Sequence, residues 1–349
     1  MTSRMLLATT LCGVSLCLSA VAPCLARDLM VVGRGGSLQQ AQEDAYFRPF
    51  TAATKIPLSL RSWHGGLAPL RDKTEQGSAD WDLVQVNAAE LLVGCDEGLF
   101  DKLNWAALGN RDKYVPPQAA TDCGAGTALT NTVLVWDRDK FQTTPTWSDF
   151  WDVARYPGKR GLRRDARTNL EIALMADGVA PGEVYRVLRT DDGVDRAFRK
   201  LDQIKPYLVW WTPDAPAGQV LGAGEVLFST ADSVSVALAN RVAGRHYGVQ
   251  WTGSLYTIRS WAMMKGTPNA ADAAKLLTSM ADPIRQANLA STVPVGPVVK
   301  GANELLPPDM AAASPTLPAN LANALQVDEA FWRDNGDKLR QRFDTWLAH

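Results

Sequence analysis

Past Asp28 the chain alternates short apolar runs with amphipathic stretches. Leu29-Met30-Val31-Val32 is followed by a helical periodicity over about 38–53 and then by Leu58-Ser59-Leu60. A second helical stretch, about 67–76, leads into Asp82-Leu83-Val84-Gln85-Val86, and Asn87 is suited to cap a helix running to Cys95. This strand, helix, strand order predicts a mainly parallel sheet covered on both faces. A long β-rich run over 127–136 follows, and a second alternating block from about 147 to 251 reads as a second α/β lobe. It holds helices near 170–176, 182–188, 192–204 and 233–242, with strands at 207–210 and 226–229. A strand-like run over 255–264 and two helices, 270–280 and 283–291, return to the first pattern. Pro307, Pro308, Pro315 and Pro318 then mark a wrapping segment before an amphipathic helix over 328–347.

The first 26 residues differ from this. Only Arg4 is charged, the apolar stretch is short for a membrane span, and small residues precede a cut after Ala26. The pattern predicts a secretory signal at 1–26, with an uncleaved anchor as the alternative. Cys12, Cys17 and Cys24 would leave with it, so Cys95 and Cys123 alone would enter an oxidising compartment, where an even pair favours one disulfide over two buried thiols.

Composition narrows the function. With 349 residues, 46% of them hydrophobic, two domains are expected. Thirty-six Lys plus Arg against 37 Asp plus Glu leaves no basic footprint for nucleic acid. Three histidines, His64, His246 and His349, are too few and too scattered for a metal centre, and no nucleophile elbow is present. Neither a metal nor a cofactor is expected, and a secreted hydrolase remains only a minority reading.

Two features suit ligand binding. The turn Gly33-Arg34-Gly35-Gly36-Ser37 follows a strand and precedes a helix, where backbone N–H groups face an anion or polar head; the alternative is a tight turn with Ser37 as N-cap. The chain also holds twelve tryptophans. Trp63, Trp210, Trp211, Trp251 and Trp261 fall at or near predicted strand ends, where α/β lobes bind ligands.

The chain resembles the periplasmic polyamine-type solute-binding proteins of ABC importers, the spermidine/putrescine-binding family. The resemblance covers nearly all of the chain past the signal. It rests on Trp81-Asp82-Leu83-Val84, Gly94 to Leu99, Asp122 to Thr127, Phe150-Trp151-Asp152 with Tyr156 to Arg163, Asn169 to Gly178, Gly224-Glu225-Val226 and Trp261 to Asn269, in the family's order. It implies a two-lobe periplasmic-binding-protein fold of type II, each lobe a sheet flanked by helices, joined by two crossing segments near Thr130 and Thr252. Lobe 1 would comprise 27–131 and 255–306, and lobe 2 would comprise 132–254 and 307–349 with C-terminal wrapping helices. The implied protein is a non-enzymatic periplasmic monomer that passes a small-molecule solute to ABC permease subunits. Its ligand contacts would fall at Gly35, Gly36, Ser37, Asn87, Thr168, Asn169, Thr230, Asp232 and Trp261, to which the strand-end position of Trp63 adds a further candidate.

One departure alters the expected ligand. Where the family typically carries an acid two positions before the Trp-Ala of the returning strand, this chain has Arg259. Arginine repels a polyamine and offers a planar fork to a carboxylate or phosphate. Strand alternation turns Arg259 to the same side as Trp261. A zwitterionic or anionic solute is therefore expected; the alternative is a true polyamine binder that uses Asp232.

Overall fold

The computed structural model describes residues 27–75, 80–212 and 216–349; the expected signal at 1–26 lies outside them. The first unit is β1 (Leu29–Gly33), α1 (Gly36–Gln42), one π-helical turn over Glu43–Phe47, α2 (Arg48–Thr54), β2 (Leu58–Ser62), α3 (Leu67–Glu75), β3 (Leu83–Val86) and α4 (Ala88–Asp96). Asn87 caps α4 as expected. It accepts from the Glu90 N–H at 2.8 Å while the Glu90 carboxylate accepts from the Asn87 N–H at 2.9 Å.

The long strand β4 (Gly124–Asp137) leads into α5 (Trp147–Trp151), β5 (Arg160–Arg163), α6 (Asn169–Ala176), α7 (Val184–Leu188), α8 (Asp191–Asp202), β6 (Leu208–Trp211), α9 (Ala217–Gly222), β7 (Phe228–Asp232) and α10 (Ser233–Val242). The longer β8 (Tyr247–Met263) returns. After it come α11 (Ala270–Met280), α12 (Pro283–Thr292), α13 (Pro308–Ala312), α14 (Pro318–Leu321), β9 (Leu325–Gln326) and α15 (Glu329–Ala348). The returning strand begins well before the expected position 255, because its first half pairs with the far end of β4.

The strands form a mixed sheet of order β2-β1-β3-β8-β4-β7-β5-β6, with β9 on β8. β1 pairs in parallel with β2 and β3, and β5 in parallel with β6 and β7, whereas β4 and β8 run antiparallel to each other through the middle. Apolar side chains gather at both ends. Val31, Phe47, Leu83 and Trp261 pack under α1, α2, α11 and α12, and Val32, Val84, Leu91 and Phe100 pack under α3 and α4. At the other end Phe150, Leu162, Leu170 and Phe331 form one core, while Val133, Val220 and Val236 form a second. These ends are the two lobes. α13 packs through Met310 and Ala311 on Ala287 and Ala290 of α12, while α15 covers the second lobe.

Two of the quoted sequence stretches are structural. Asp82 is fully buried and accepts from Arg27, from the Met30 N–H at 2.7 Å, from Thr267 and from Asn269. Arg160 is also buried, and its guanidinium donates to the carbonyls of Phe150, Gly158, Asp152 and Tyr156. Cys95 and Cys123 form a disulfide that ties α4 to the start of β4. Among the described residues no helix is long and apolar enough to cross a membrane, and no group of three His, Cys, Asp or Glu could hold a metal ion.

Candidate functional site

The cleft opens where β3 ends against the heads of α6 and α10, with Glu329 and Arg340 of α15 along its side. A cavity of about 430 Å³ there is lined by Asn87 and Thr257 of lobe 1 and by Arg163, Thr168 and Asp232 of lobe 2, with Thr130 between them on β4. Three of the expected contacts, Asn87, Thr168 and Asp232, are thus brought to one cavity. Thr168 is a β-branched residue held at φ 74, and its side chain makes no capping bond to α6, a strain that persists only where the surroundings impose it.

Arg259 lies outside the lining of this cavity, near enough to Asp232 for the two charges to interact. Its Cα is paired with that of Ala128, and Thr127 is an extra residue on the opposite strand, so the ladder is bulged at this point. β3 stops one position short, at the Val86–Ser260 pair. Among the described residues the Arg259 guanidinium donates no hydrogen bond and forms no ion pair. Burial lowers its pKa, Arg34 lowers it further, and Asp232 and Glu90 oppose the change. Asp232 in turn has its pKa raised by burial, against the N–H groups of Ser235 and Val234 and the charge of Arg259. One Asp232 oxygen, Oδ1, is occupied by the Val234 and Ser235 N–H groups at 3.0 and 3.1 Å as the cap of α10. The Ser235 hydroxyl also approaches this carboxylate.

The glycine turn supports a different group from the one expected. Gly35 and Gly36 hold φ 72 and 65, values that a side chain would strain. The N-cap of α1 is Gly35 and not Ser37, because the helix already begins at Gly36. The Gly35 N–H is taken by Gln39 at 2.8 Å, and Gln39 also accepts from Ser62 at 2.9 Å. The charged residue of the turn, Arg34, pairs with Glu90 and lies 4.6 Å from the centre of the Trp63 ring. Trp63 is buried, and its Nε1 donates to the Gln85 carbonyl at 3.0 Å. It backs Arg34 and does not wall the cavity.

Three expected contacts are spent inside the protein. Asn169 donates to the carbonyls of Arg163 and Asp165 at 2.6 and 2.8 Å. Thr230 is 1% exposed and accepts from Trp211 Nε1 at 3.1 Å. Trp261 is 1% exposed and meets Phe47 edge to face at 5.9 Å, in the core of lobe 1. Arg34 and Glu90 were not singled out from the sequence as contacts. The signals available were an Arg within the glycine turn and a Glu three residues after a helix cap.

A polar cavity between two α/β lobes, where two long strands cross from one to the other, suits the binding of a small solute. The chain belongs to the bacterial extracellular solute-binding protein family, whose model matches residues 45–319. It is 42% identical over 334 residues to a gamma-aminobutyric acid-binding protein of Pseudomonas aeruginosa, covering 95% of this chain and 94% of that one. Among solved structures it resembles an ABC transporter substrate-binding protein from Bradyrhizobium japonicum, with a TM-score of 0.79, 32% identity, and 92% of this chain and 99% of that one covered. A GABA receptor structure gives a TM-score of 0.79 at 26% identity, with 92% and 98% covered. The protein is accordingly a solute-binding receptor of an ABC importer, which engages permease subunits and is not an enzyme.

Proposed function

We propose that this receptor is a periplasmic monomer, exported by a leader over residues 1–26, whose solute is a small zwitterion of the ω-amino acid type, such as γ-aminobutyrate. The observation that carries this reading is the pair of unspent charges in one cleft. Arg259 makes no hydrogen bond to the described residues, and the capping N–H groups of α10 occupy only Oδ1 of Asp232. A carboxylate set on Arg259 and an ammonium on Asp232 would satisfy both. Lobe 1 (27–131 and 255–306) and lobe 2 (132–254 and 307–349) close about it, except that the segment through α13 and α14, expected with lobe 2, packs on lobe 1, because Met310 and Ala311 meet α12 and Leu321 and Ala324 meet the lobe 1 core; Asn87 and Thr168 supply the polar walls. The relative that binds gamma-aminobutyric acid supports the same ligand class.

A polyamine needs a second acid. Glu90, the remaining acid near Arg259, already accepts from Arg34, from the Gly66 N–H at 2.7 Å and from the Asn87 N–H, and in the cavity wall Glu329 pairs with Arg167 while Asp165 accepts from the Arg167 N–H and shares the wall with Arg163. Arg259 would also repel an ammonium about 4 Å away by roughly 4 kcal/mol at an effective dielectric of 20. The test is a thermal-shift and calorimetric screen of β-alanine, γ-aminobutyrate, 5-aminovalerate, putrescine and spermidine. The ω-amino acids should stabilise the protein, by about 2.7 kcal/mol at 100 times the dissociation constant. Tight putrescine binding without any response to ω-amino acids would reverse the assignment in favour of the polyamine reading.

A further inference from the structure

We propose that Glu90 determines specificity: by neutralising Arg34, it leaves Arg259 as the uncompensated cation on the lobe 1 side, facing Arg163 and Asp165 in the lobe 2 wall, and so selects zwitterions over dianions. This inference rests on the zwitterion reading above and adds to it the class of solute that is rejected.

The geometry begins with the sheet. β1 and β3 are parallel with Val32 level with Val84, so Arg34 stands level with Val86, whose partner on β8 is Ser260. Arg34 therefore lies about two strand spacings, roughly 10 Å, from the backbone beside Arg259. Two arginine side chains can converge on one acidic group across that span.

Arg34 is held in place on several sides. Trp63 lies under its guanidinium, Glu90 pairs with one terminal nitrogen, and a Cβ on Gly65 would strike both Arg34 and Glu90. Its Nε is buried and has no hydrogen-bond partner. Without Glu90 this would be a second fixed positive charge in the cleft. With Glu90, Arg34 adds donors but almost no net charge, and Arg259 with Asp232 brings the sum of the four groups to zero.

Glu90 is 6% exposed, and its two oxygens receive Arg34 and the N–H groups of Gly66 and Asn87. It has no oxygen left for an ammonium, so its effect on the solute passes through Arg34. Glutamine at the third helix position can still complete the capping box. Glu90→Gln therefore removes the charge and keeps the capping box through its one oxygen, at the loss of the acceptor for the Gly66 N–H, a loss that the double variant shares.

The experiment compares calorimetric affinities for γ-aminobutyrate, glutamate and succinate in wild-type protein, Glu90→Gln, Arg34→Gln and the double variant, with thermal melts confirming that each is folded. Glu90→Gln should raise the affinity ratio of succinate or glutamate to γ-aminobutyrate roughly tenfold to thirtyfold, the size expected for one unit charge about 8 to 10 Å away in a partly desolvated cleft. Adding Arg34→Gln should bring the ratio back to the wild-type value, which a merely structural role of Glu90 would not do. A folded Glu90→Gln protein that binds γ-aminobutyrate with an unchanged ratio overturns this inference and leaves the zwitterion reading standing. A shifted ratio that persists in the double variant also overturns it. A wild-type protein that binds no ω-amino acid overturns both.

Discussion

Arg259 on β8 and Asp232 at the head of α10 each ease the other's charge across the cleft, yet no hydrogen bond joins them. Under the proposed assignment the two groups belong to opposite lobes, and a solute would bridge them. A direct salt bridge would have closed the cleft on itself.

Replacing Arg259 with Gln should weaken γ-aminobutyrate binding by about 100-fold, since it strips the partner from a desolvated carboxylate. Asp232→Asn should cost tenfold or more on the ammonium side and hardly move the melting temperature, because Asn caps a helix as well as Asp does. Calorimetry with parallel melts checks both. Wild-type affinity in folded Arg259→Gln would remove Arg259 from the site.

Acid should weaken binding through Asp232. Its burial raises the carboxyl pKa above 3.8, and a protonated Asp232 cannot pair with an ammonium. Affinity should fall as pH drops toward the raised value, and Asp232→Asn should flatten that slope. Stability of the unliganded protein follows the opposite sign. The folded state holds this proton more tightly than the unfolded chain, so the cost of the buried anion is full above the folded pKa and fades as pH falls toward 3.8. Identical pH profiles for the two proteins would exclude this role.

Asp82 should behave in the reverse sense. Burial works against its charge, but the donors Arg27, Thr267, Met30 and Asn269 hold its carboxyl below 3.8. Its stabilisation is present above 3.8 and disappears as pH falls through the lower folded value. Asp82→Ala should cost about 2 to 4 kcal/mol by leaving several donors unpaired. Urea melts at pH 7 and pH 3 should show the variant's deficit shrinking in acid.

Much of the fold could be read from periodicity, because β1, β3, α4, α6, α8 and α15 carry their own apolar rhythm and caps. β5 could not, since Arg160-Gly161-Leu162-Arg163 lacks an apolar run and forms a strand only between β6 and β7. The site was legible in part. Alternation turns Arg259 and Trp261 the same way, but β3 ends at Val86. Arg259 therefore lies just past the edge of the core, while Trp261, opposite Gln85, lies beneath Phe47. Two positions along one strand separate cleft from interior, and no local signal marks that boundary. Glu90 was hidden for another reason: its cap role is visible in sequence, whereas its pairing with Arg34 depends on the neighbouring strand.

Arg241 of α10 donates to the carbonyls of Ser291 and Thr292 at the end of α12, at 2.9 and 2.7 Å, and so ties lobe 2 to lobe 1. On another helix, Arg333 reaches Asp96 at 2.8 Å. Arg241→Ala should loosen this arrangement of the lobes, raise the radius of gyration of the unliganded protein and weaken solute binding threefold to tenfold without touching the cavity. If scattering and affinity both stay at wild-type values, the clasp has no part in closure.

Loss of the Cys95–Cys123 bridge, by Ser at both positions, should lower stability by roughly 3 to 4 kcal/mol for a loop of this length, with a sequence separation of 28. Affinity should be nearly unchanged, because the bridge lies within lobe 1. Intact mass after alkylation should find no free thiol in the wild-type protein.

The place of β8 in the sheet also bears on how the chain folds. It is the strand that joins β3 to β4, and it pairs with β9 as well, yet it is among the last strands in the sequence. Until residue 247 has been made, β2, β1 and β3 can form only a short ribbon with an open edge, and β4 can pair only with β7. The first lobe cannot be sealed until chain from beyond the second has returned to it. Long-range pairing of this kind is slow, and a polypeptide ending before Tyr247 would leave both β3 and β4 exposed as unpartnered edges, the form most prone to aggregate.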